Sequence, residues 1–459
     1  MSRPVRCVPV SSGPGGTPGT ASSPGGPVHA LLTALGAALD GTGPAVLPLP
    51  ADEPPPERPG EVPDDVALVV RTSGSTGVPR DVLLSAAALR ASGEATAARL
   101  GGHGRWLLAL PPVHVAGVQV LVRSLLAGTE PVVLAPGPFR ADAFERAVRE
   151  LDPPGVGGPG GPQGLPARVT GSTSTAPGEP AAPGRRYTSL VPTQLHRLLA
   201  SPGALDALRT FDAVLVGGAA TAAGLLADAR AAGVRVVTTY GMSETCGGCV
   251  YDGVPLDGVE VDVDPTDGRV LLAGPVLATG YRDRPDLDAE AFVERGDRRW
   301  LRTGDLGELV AVGPSSPAVP DGTPAGLATV SPTLHGSPPA GAGHVLRVLG
   351  RADDVLVTGG AKVAPAAVER VVGALDGVAD VCVVGLPDPE WGQSVTAVLV
   401  LHDGARAPAH DDVRAAVARS LGHAAAPRAV VVVESLPLRG PGKPDRAAVA
   451  RLAADRLGR

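Results

Sequence analysis

A chain of 459 residues with a net charge of -7 at neutral pH and 44% hydrophobic residues is long enough to bury more than one core, and two or three domains are expected. Its mildly acidic balance, without clustered lysine or arginine, argues against nucleic acid or an anionic membrane as the main partner and leaves small-molecule chemistry. Four cysteines are too few for a disulfide framework. No apolar run approaches the roughly eighteen residues of a membrane span, and the N-terminal stretch has no signal-peptide core. A cytoplasmic protein without stable membrane insertion is therefore expected.

Taken in chain order, glycine (62) and proline (49) concentrate near residues 11–27, 153–184 and 311–343. Apolar periodicity disappears there, so these stretches read as mobile loops or tails. Between them short apolar runs alternate with helical patterns: VALVV (66–70), RWLLAL (105–110), EPVVLA (130–135), FDAVLVGG (211–218) and VRVVTTYG (234–241). That order predicts an α/β fold with buried strands that end in glycine-rich turns. No fixed-period repeat is visible. Cys246 and Cys249 form a C-x-x-C, but without a helix start or a second ligand pair they read as packing residues. After residue 350 the texture becomes a compact α+β pattern. The stretch APAAVERVVGALDGV places Val368, Val371, Val372 and Leu375 on one helical face, and ADVCVVGL follows as a strand.

The turn after the first of the quoted strands carries the first chemical signal. Thr72, Ser73, Gly74, Ser75, Thr76 and Gly77 combine hydroxyls with glycines. Those glycines permit positive φ and close backbone approach, so the loop can bond phosphate oxygens. It is not a Walker A loop, because no Gly-x-x-x-x-Gly-Lys-Ser/Thr can be written through it.

Four further stretches follow in one order: TYGMSET (239–245), WLRTGDLGEL (300–309), GRADDVLVTGGAKVAPAAVE (350–369) and GPGKPDR (440–446). At these residues, and at TSGSTGVPR, the chain resembles the adenylate-forming superfamily of acyl-CoA ligases, nonribosomal adenylation domains and luciferases. The resemblance runs from about residue 66 to the C-terminus. It implies a large multi-subdomain α/β N-terminal domain and a small mobile α+β C-terminal lid. The corresponding division is a shortened, partly low-complexity region at 1–65, an AMP-binding domain at 66–352 with inserts near 153–184 and 311–343, and a lid at 353–459. The implied chemistry uses ATP, Mg²⁺ and CoA in two steps, first to an acyl-adenylate and then to a thioester.

The same resemblance assigns roles. The phosphate loop positions the β- and γ-phosphates, although it closes on Pro79-Arg80 where the family usually has Pro-Lys, which changes donor geometry. Gly217, Gly218 and Ala219 line an adenine pocket, Tyr240 stacks on the base beside Gly241 and Met242, Ser243 reaches the α-phosphate and Glu244 holds Mg²⁺. Asp305 accepts both ribose hydroxyls, with Arg351 at the same ribose. Lys443 stabilises charge in the adenylating step, Asp353 is the hinge, and Gly359 and Gly360 lie beside incoming CoA.

Residues 107–133, 188–199, 240–259 and 436–448 further resemble the actinobacterial ortho-succinylbenzoate:CoA ligases. That likeness implies an aromatic dicarboxylate substrate and a place in menaquinone (vitamin K2) biosynthesis. His114 is then a gate residue, and Thr193, His196 and Arg197 are candidates for the far end of the acid pocket. Another aryl- or acyl-CoA ligase, or an adenylation enzyme that loads a carrier protein, is the alternative. A non-enzymatic nucleotide-binding relative is disfavoured by the joint presence of Glu244, Asp305, Arg351 and Lys443. No nucleic-acid partner is expected, and homo-oligomerisation stays open.

Overall fold

The computed structural model describes residues 2–10, 26–56, 59–72, 79–135, 137–151, 184–311, 343–439 and 443–458. Most of the three Gly/Pro-rich stretches, loop residues Ser73, Gly74, Ser75, Thr76 and Gly77, and the side chain of Lys443 lie outside the described residues.

The first sheet contains β1 (Ser2–Val10), β2 (Ala45–Pro50), β3 (Glu61–Pro63), β4 (Val66–Thr72) and β5 (Arg80–Ser85), with helix α1 (Pro27–Leu39) between its first two strands. Residues 1–65 thus supply strands to the same sheet as VALVV, because β1 runs parallel to β2 and β2 parallel to β4. Strand β4 is apolar and buried from Val66 to Val70, as expected for a strand covered on both faces.

The second sheet follows α2 (Ala86–Leu100). Its members are β6 (Gly104–Leu108), β7 (Val132–Val133), β8 (Arg185–Leu190), β9 (Ala213–Val216), β10 (Val236–Met242), β11 (Gly247–Tyr251) and β12 (Val254–Pro255). They lie in the order β12-β11-β10-β9-β8-β6-β7. The five from β7 to β10 pair in parallel, and β11 turns back antiparallel on β10. The connecting helices are α3 (Val115–Leu126), α4 (Ala141–Leu151), α5 (Pro192–Leu199), α6 (Pro202–Arg209) and α7 (Ala223–Ala231). Helix α4 shows why they dock: Phe144, Ala147, Val148 and Leu151 recur at helical spacing and are all buried in the core beneath this sheet. Each of the five apolar runs read from the sequence contains a strand, although only Val132–Val133 of 130–135 and Ala213–Val216 of 211–218 are paired.

A third sheet, β13 (Glu260–Val263), β14 (Arg269–Ala273), β16 (Phe292–Arg295), β17 (Arg298–Ala311) and β18 (His344–Arg351), is antiparallel throughout. The short β15 (Gly280–Tyr281) leaves it to pair with β5 of the first sheet, and α8 (Pro285–Ala291) follows. The C-terminal unit comprises β19 (Leu356–Thr358), β20 (Ala361–Val363), α9 (Pro365–Val372), β21 (Val378–Asp388), β22 (Gly392–Leu401), α10 (His410–Leu421), β23 (Ala429–Val432), β24 (Leu438–Arg439), β25 (Lys443–Pro444) and α11 (Arg446–Leu457). Its sheet separates two apolar clusters, one including α9 residues Val368 and Val372 and the other α11 residues Val449 and Ala453. This is the α+β pattern read after residue 350, with an α/β body before it. Among the described residues no helix is long and apolar enough to cross a membrane.

Candidate active site

The parallel sheet gathers motifs that are far apart in sequence. Strand β6 leads through residues 109–113 to His114, β8 to Val191 and Thr193, β9 to Gly217, Gly218 and Ala219, and β10 to Ser243 and Glu244. All four follow the carboxyl ends of parallel strands, the edge at which open α/β sheets bind ligands. Gln194 ties two of these ends together: its amide nitrogen donates to the Ala109 carbonyl at 3.0 Å and its oxygen accepts from Val191 N–H at 3.0 Å. Gly217 is bare for a local reason, since a β-carbon there would collide with the Thr239 hydroxyl. A bulge between Tyr240 and Gly241 re-aims the chain before Met242. A single 3-10 turn over Ser243–Thr245 follows. Behind it the Cys246 carbonyl accepts from Gln119 at 2.6 Å and Ser92 at 3.3 Å. Cys246 and Cys249 are fully buried, and burial pushes both thiols up, Cys249 to about 12. They are packing residues, as the sequence suggests.

The adenine candidate Tyr240, on the second sheet, meets the ribose candidates Asp305 and Arg351, on the third. The Tyr240 hydroxyl donates to Asp305 Oδ2 at 2.9 Å, and Arg351 Nε stands 3.6 Å from Asp305 Oδ1. Asp305 and Arg351 are directly opposite each other on β17 and β18, so the antiparallel register makes the pair. Burial first, and then the Asp305 charge, hold the Tyr240 phenol well above its ordinary range, which keeps it a donor.

The metal candidate Glu244 is half-buried, and its Oε1 accepts from the Tyr281 hydroxyl at 2.7 Å. Arg80 reaches the same hydroxyl. The stem of the candidate phosphate loop is clamped just below: Arg71 pairs with Asp81 at 2.9 Å and with Glu53 at 2.7 Å, while Thr72 Oγ1 donates to the Arg80 carbonyl at 3.3 Å. Among the described residues no group of three or more His, Cys, Asp or Glu side chains converges. A single oriented carboxylate with a second oxygen to offer suits Mg²⁺, which takes one or two carboxylates together with substrate phosphates and waters.

The family model for "AMP-binding enzyme" matches residues 26–156 and 184–316, and that for "AMP-binding enzyme C-terminal domain" matches residues 367–443. This chain belongs to the AMP-binding enzyme family. It is 43% identical over 426 residues, 92% of this chain and 94% of the relative, to the "Probable 2-succinylbenzoate--CoA ligase" of Mycobacterium tuberculosis. Among solved structures it resembles the amide bond synthetase McbA from Marinactinospora thermotolerans, with a TM-score of 0.64 and 25% identity, covering 90% of this chain and 76% of that one. It also shares its fold with the o-succinylbenzoate CoA synthetase from Bacillus subtilis in complex with the acyl-adenylate intermediate OSB-AMP, with a TM-score of 0.59 and 23% identity, covering 91% and 80%.

Other residues expected to act in this AMP-binding enzyme are placed less uniformly. Thr193 is half-buried in the first turn of α5, at the sheet edge, whereas His196 and Arg197 are exposed further along that helix. His196 lines a cleft with Asp228 of α7 and with Gly373, Val378 and His402 of the C-terminal unit. Helical spacing thus carries it away from the strand ends. His114 is exposed at the N-cap of α3. Asp353 sits in a 3-10 turn after β18 and accepts from Arg351 at 3.4 Å. Gly359 and Gly360 form the two-residue turn between β19 and β20 with φ of 54° and 81°, the left-handed pair such hairpins need. The room beside Gly359 is filled by the Trp391 ring; only at Gly360 would an added β-carbon meet open space.

Two residues escaped the sequence reading. Tyr281 belongs to an unremarkable ATGY stretch. Arg446 lies within GPGKPDR, yet its structural task shows only in space: Nη1 and Nη2 hold Glu369 at 2.5 and 3.1 Å, and Nε holds Asp354 at 2.9 Å. Burial lowers its pKa, but Glu369 more than offsets this, so the net shift is upward. It links α11, just after Lys443, to α9 and the turn Ala352–Asp354.

Proposed function

We propose that this chain is an AMP-forming acid–thiol ligase that adenylates the aliphatic carboxylate of ortho-succinylbenzoate and passes the acyl group to CoA, a step of menaquinone synthesis. The observation that carries the ligase chemistry is the meeting of Tyr240, Asp305 and Arg351 near the carboxyl end of strand β10, which Glu244 directly follows. The acid is suggested by the Mycobacterium tuberculosis relative.

In the first step a carboxylate oxygen attacks the α-phosphorus of ATP, the bond to the β-phosphate oxygen breaks, and pyrophosphate leaves. Asp305 holds the ribose hydroxyls through charge-assisted hydrogen bonds, and Tyr240, its hydroxyl already engaged, offers its ring face to the adenine. Mg²⁺, held by Glu244, would neutralise phosphate charge. Ser243 and the loop Thr72–Gly77 position the phosphates, with Arg80 at the loop's exit. Lys443 opposes the charge that gathers on phosphorus and on the departing pyrophosphate. In the second step the CoA sulfur attacks the acyl carbonyl, the carbon–oxygen bond to AMP breaks, and AMP leaves. The C-terminal unit reorients about Asp353 between the steps, exchanging Lys443 for the Gly359–Gly360 turn. His114 and Thr193 face the acid, with His196 and Arg197 as more distant candidates. The protein works in the cytoplasm.

The test is a substrate panel. With ATP, Mg²⁺ and CoA, 4-(2-carboxyphenyl)-4-oxobutanoate should be converted to its mono-CoA thioester faster than benzoate, cinnamate or medium-chain fatty acids. Preference for a fatty acid overturns the substrate assignment.

A further inference from the structure

Glu244 can serve a cation only if its carboxylate is held still, and its own 3-10 turn supplies backbone order but does not restrain the side chain. The restraint comes from elsewhere. Tyr281 is 6% exposed, its ring packs on Phe292 with centroids 6.1 Å apart, and its hydroxyl donates to Glu244 Oε1 at 2.7 Å. The strand that carries it is anchored on three sides. Tyr281 lies opposite Val82 of β5, and its backbone N–H donates to Asp288 Oδ1 at 2.7 Å. Thr279 N–H donates to the Leu83 carbonyl and Arg282 N–H to the Asp81 carbonyl, at 2.8 and 2.9 Å. Just before β15, Ala278 N–H donates to the Glu244 carbonyl at 2.8 Å. Residues 278–282 therefore fasten the Glu244 turn, by side chain and by backbone, to the strand that leaves the phosphate loop. Arg80 stands two residues before Val82 on the same face of β5, which puts its guanidinium at the Tyr281 hydroxyl.

We propose that Tyr281 is a positioning residue for the metal site: its hydroxyl fixes Glu244 through Oε1 and so presents Oε2 to a divalent cation beside the nucleotide phosphates. The proposal rests on the reading of Glu244 as the metal ligand. Partners that orient a metal ligand typically contribute ~10- to 100-fold to metal affinity. Tyr281→Phe keeps the ring and its packing while deleting the hydrogen bond.

Direct Mn²⁺ binding in the presence of ATP, followed by electron paramagnetic resonance, reads the effect independently of turnover. Tyr281→Phe should weaken Mn²⁺ by about 10- to 100-fold, and the Mg²⁺ concentration needed for half-maximal adenylation should rise in parallel, with kcat largely restored at saturating Mg²⁺. Asp288→Ala, which removes the acceptor of the Tyr281 N–H and so loosens the same strand but leaves the hydroxyl in place, should keep Mn²⁺ affinity within about threefold of the parent, well short of the loss from a deleted orienting partner. Equal losses in the two variants would assign the effect to strand packing and overturn the proposal. Glu244→Gln separates the two levels of inference. If Glu244→Gln abolishes Mn²⁺ binding while Tyr281→Phe binds as the parent does, Tyr281 has no positioning role and Glu244 keeps its own. If Glu244→Gln also binds normally, the metal assignment itself fails, and the proposal with it.

Discussion

Replacing Asp305 by asparagine isolates charge from shape at the candidate nucleotide site. The side chain is 13% exposed, accepts the Tyr240 hydroxyl at 2.9 Å and faces Arg351 at 3.6 Å. Asparagine is nearly isosteric and still offers Tyr240 an acceptor, while the Arg351 attraction it forfeits involves a guanidinium 46% exposed and so contributes little. The folded protein should therefore lose no more than about 1 kcal/mol. Nucleotide binding is different. Hydrogen bonds to a charged acceptor are worth about 1.5–3 kcal/mol against about 0.5–1.5 for a neutral one, so two ribose hydroxyls lose ~2–3 kcal/mol together, or ~30- to 150-fold in affinity. Titration calorimetry with a non-hydrolysable ATP analogue measures this, and a thermal melt of the same sample reports the fold. Affinity within threefold of the parent would show that the ribose does not sit on Asp305. A loss of affinity accompanied by a large fall in melting temperature would trace the effect to Tyr240 and its disturbed packing instead.

Lys443→Ala should slow acyl-adenylate formation by about a hundred- to thousandfold, yet make thioester from supplied acyl-adenylate and CoA at near the parental rate; equal loss of both half-reactions would mean one static site. Asp353→Pro should do the reverse, because proline locks φ and removes the backbone freedom a hinge needs, and the same pair of assays decides it. Arg446→Met removes the guanidinium that holds Glu369 and Asp354. Breaking a buried pair costs about 3–5 kcal/mol, but the arginine is 29% exposed and Glu369 keeps the Val383 N–H at 2.7 Å, so a loss of ~2 kcal/mol is expected. Chemical denaturation followed at Trp391, in the C-terminal unit, measures it, and an unchanged midpoint would show that the network is redundant.

The sequence alone determined the strands at 66–70, 105–110, 130–135, 211–218 and 234–241 and the apolar face of the helix at 365–372, because burial on a strand or helix is a local periodic signal. It also determined the order of the chemical blocks and hence the family, since each block is read from contiguous residues. What it could not determine was which blocks touch. Tyr240 meets Asp305 across 65 residues, and Tyr281 meets Glu244 across 37, through strands of different sheets. Pairing of that kind is set by crossover topology and register, which periodicity does not encode. The same holds for β1, whose place as a strand parallel to β2 only the fold shows. Side-chain direction was equally out of reach. Three residues along a helix were enough to separate Thr193 from His196, and only the packed structure shows Trp391 filling the space that a bare Gly359 leaves. Local sequence specifies what each segment can be, and the tertiary fold decides which polar atoms are close enough to share a proton or a cation.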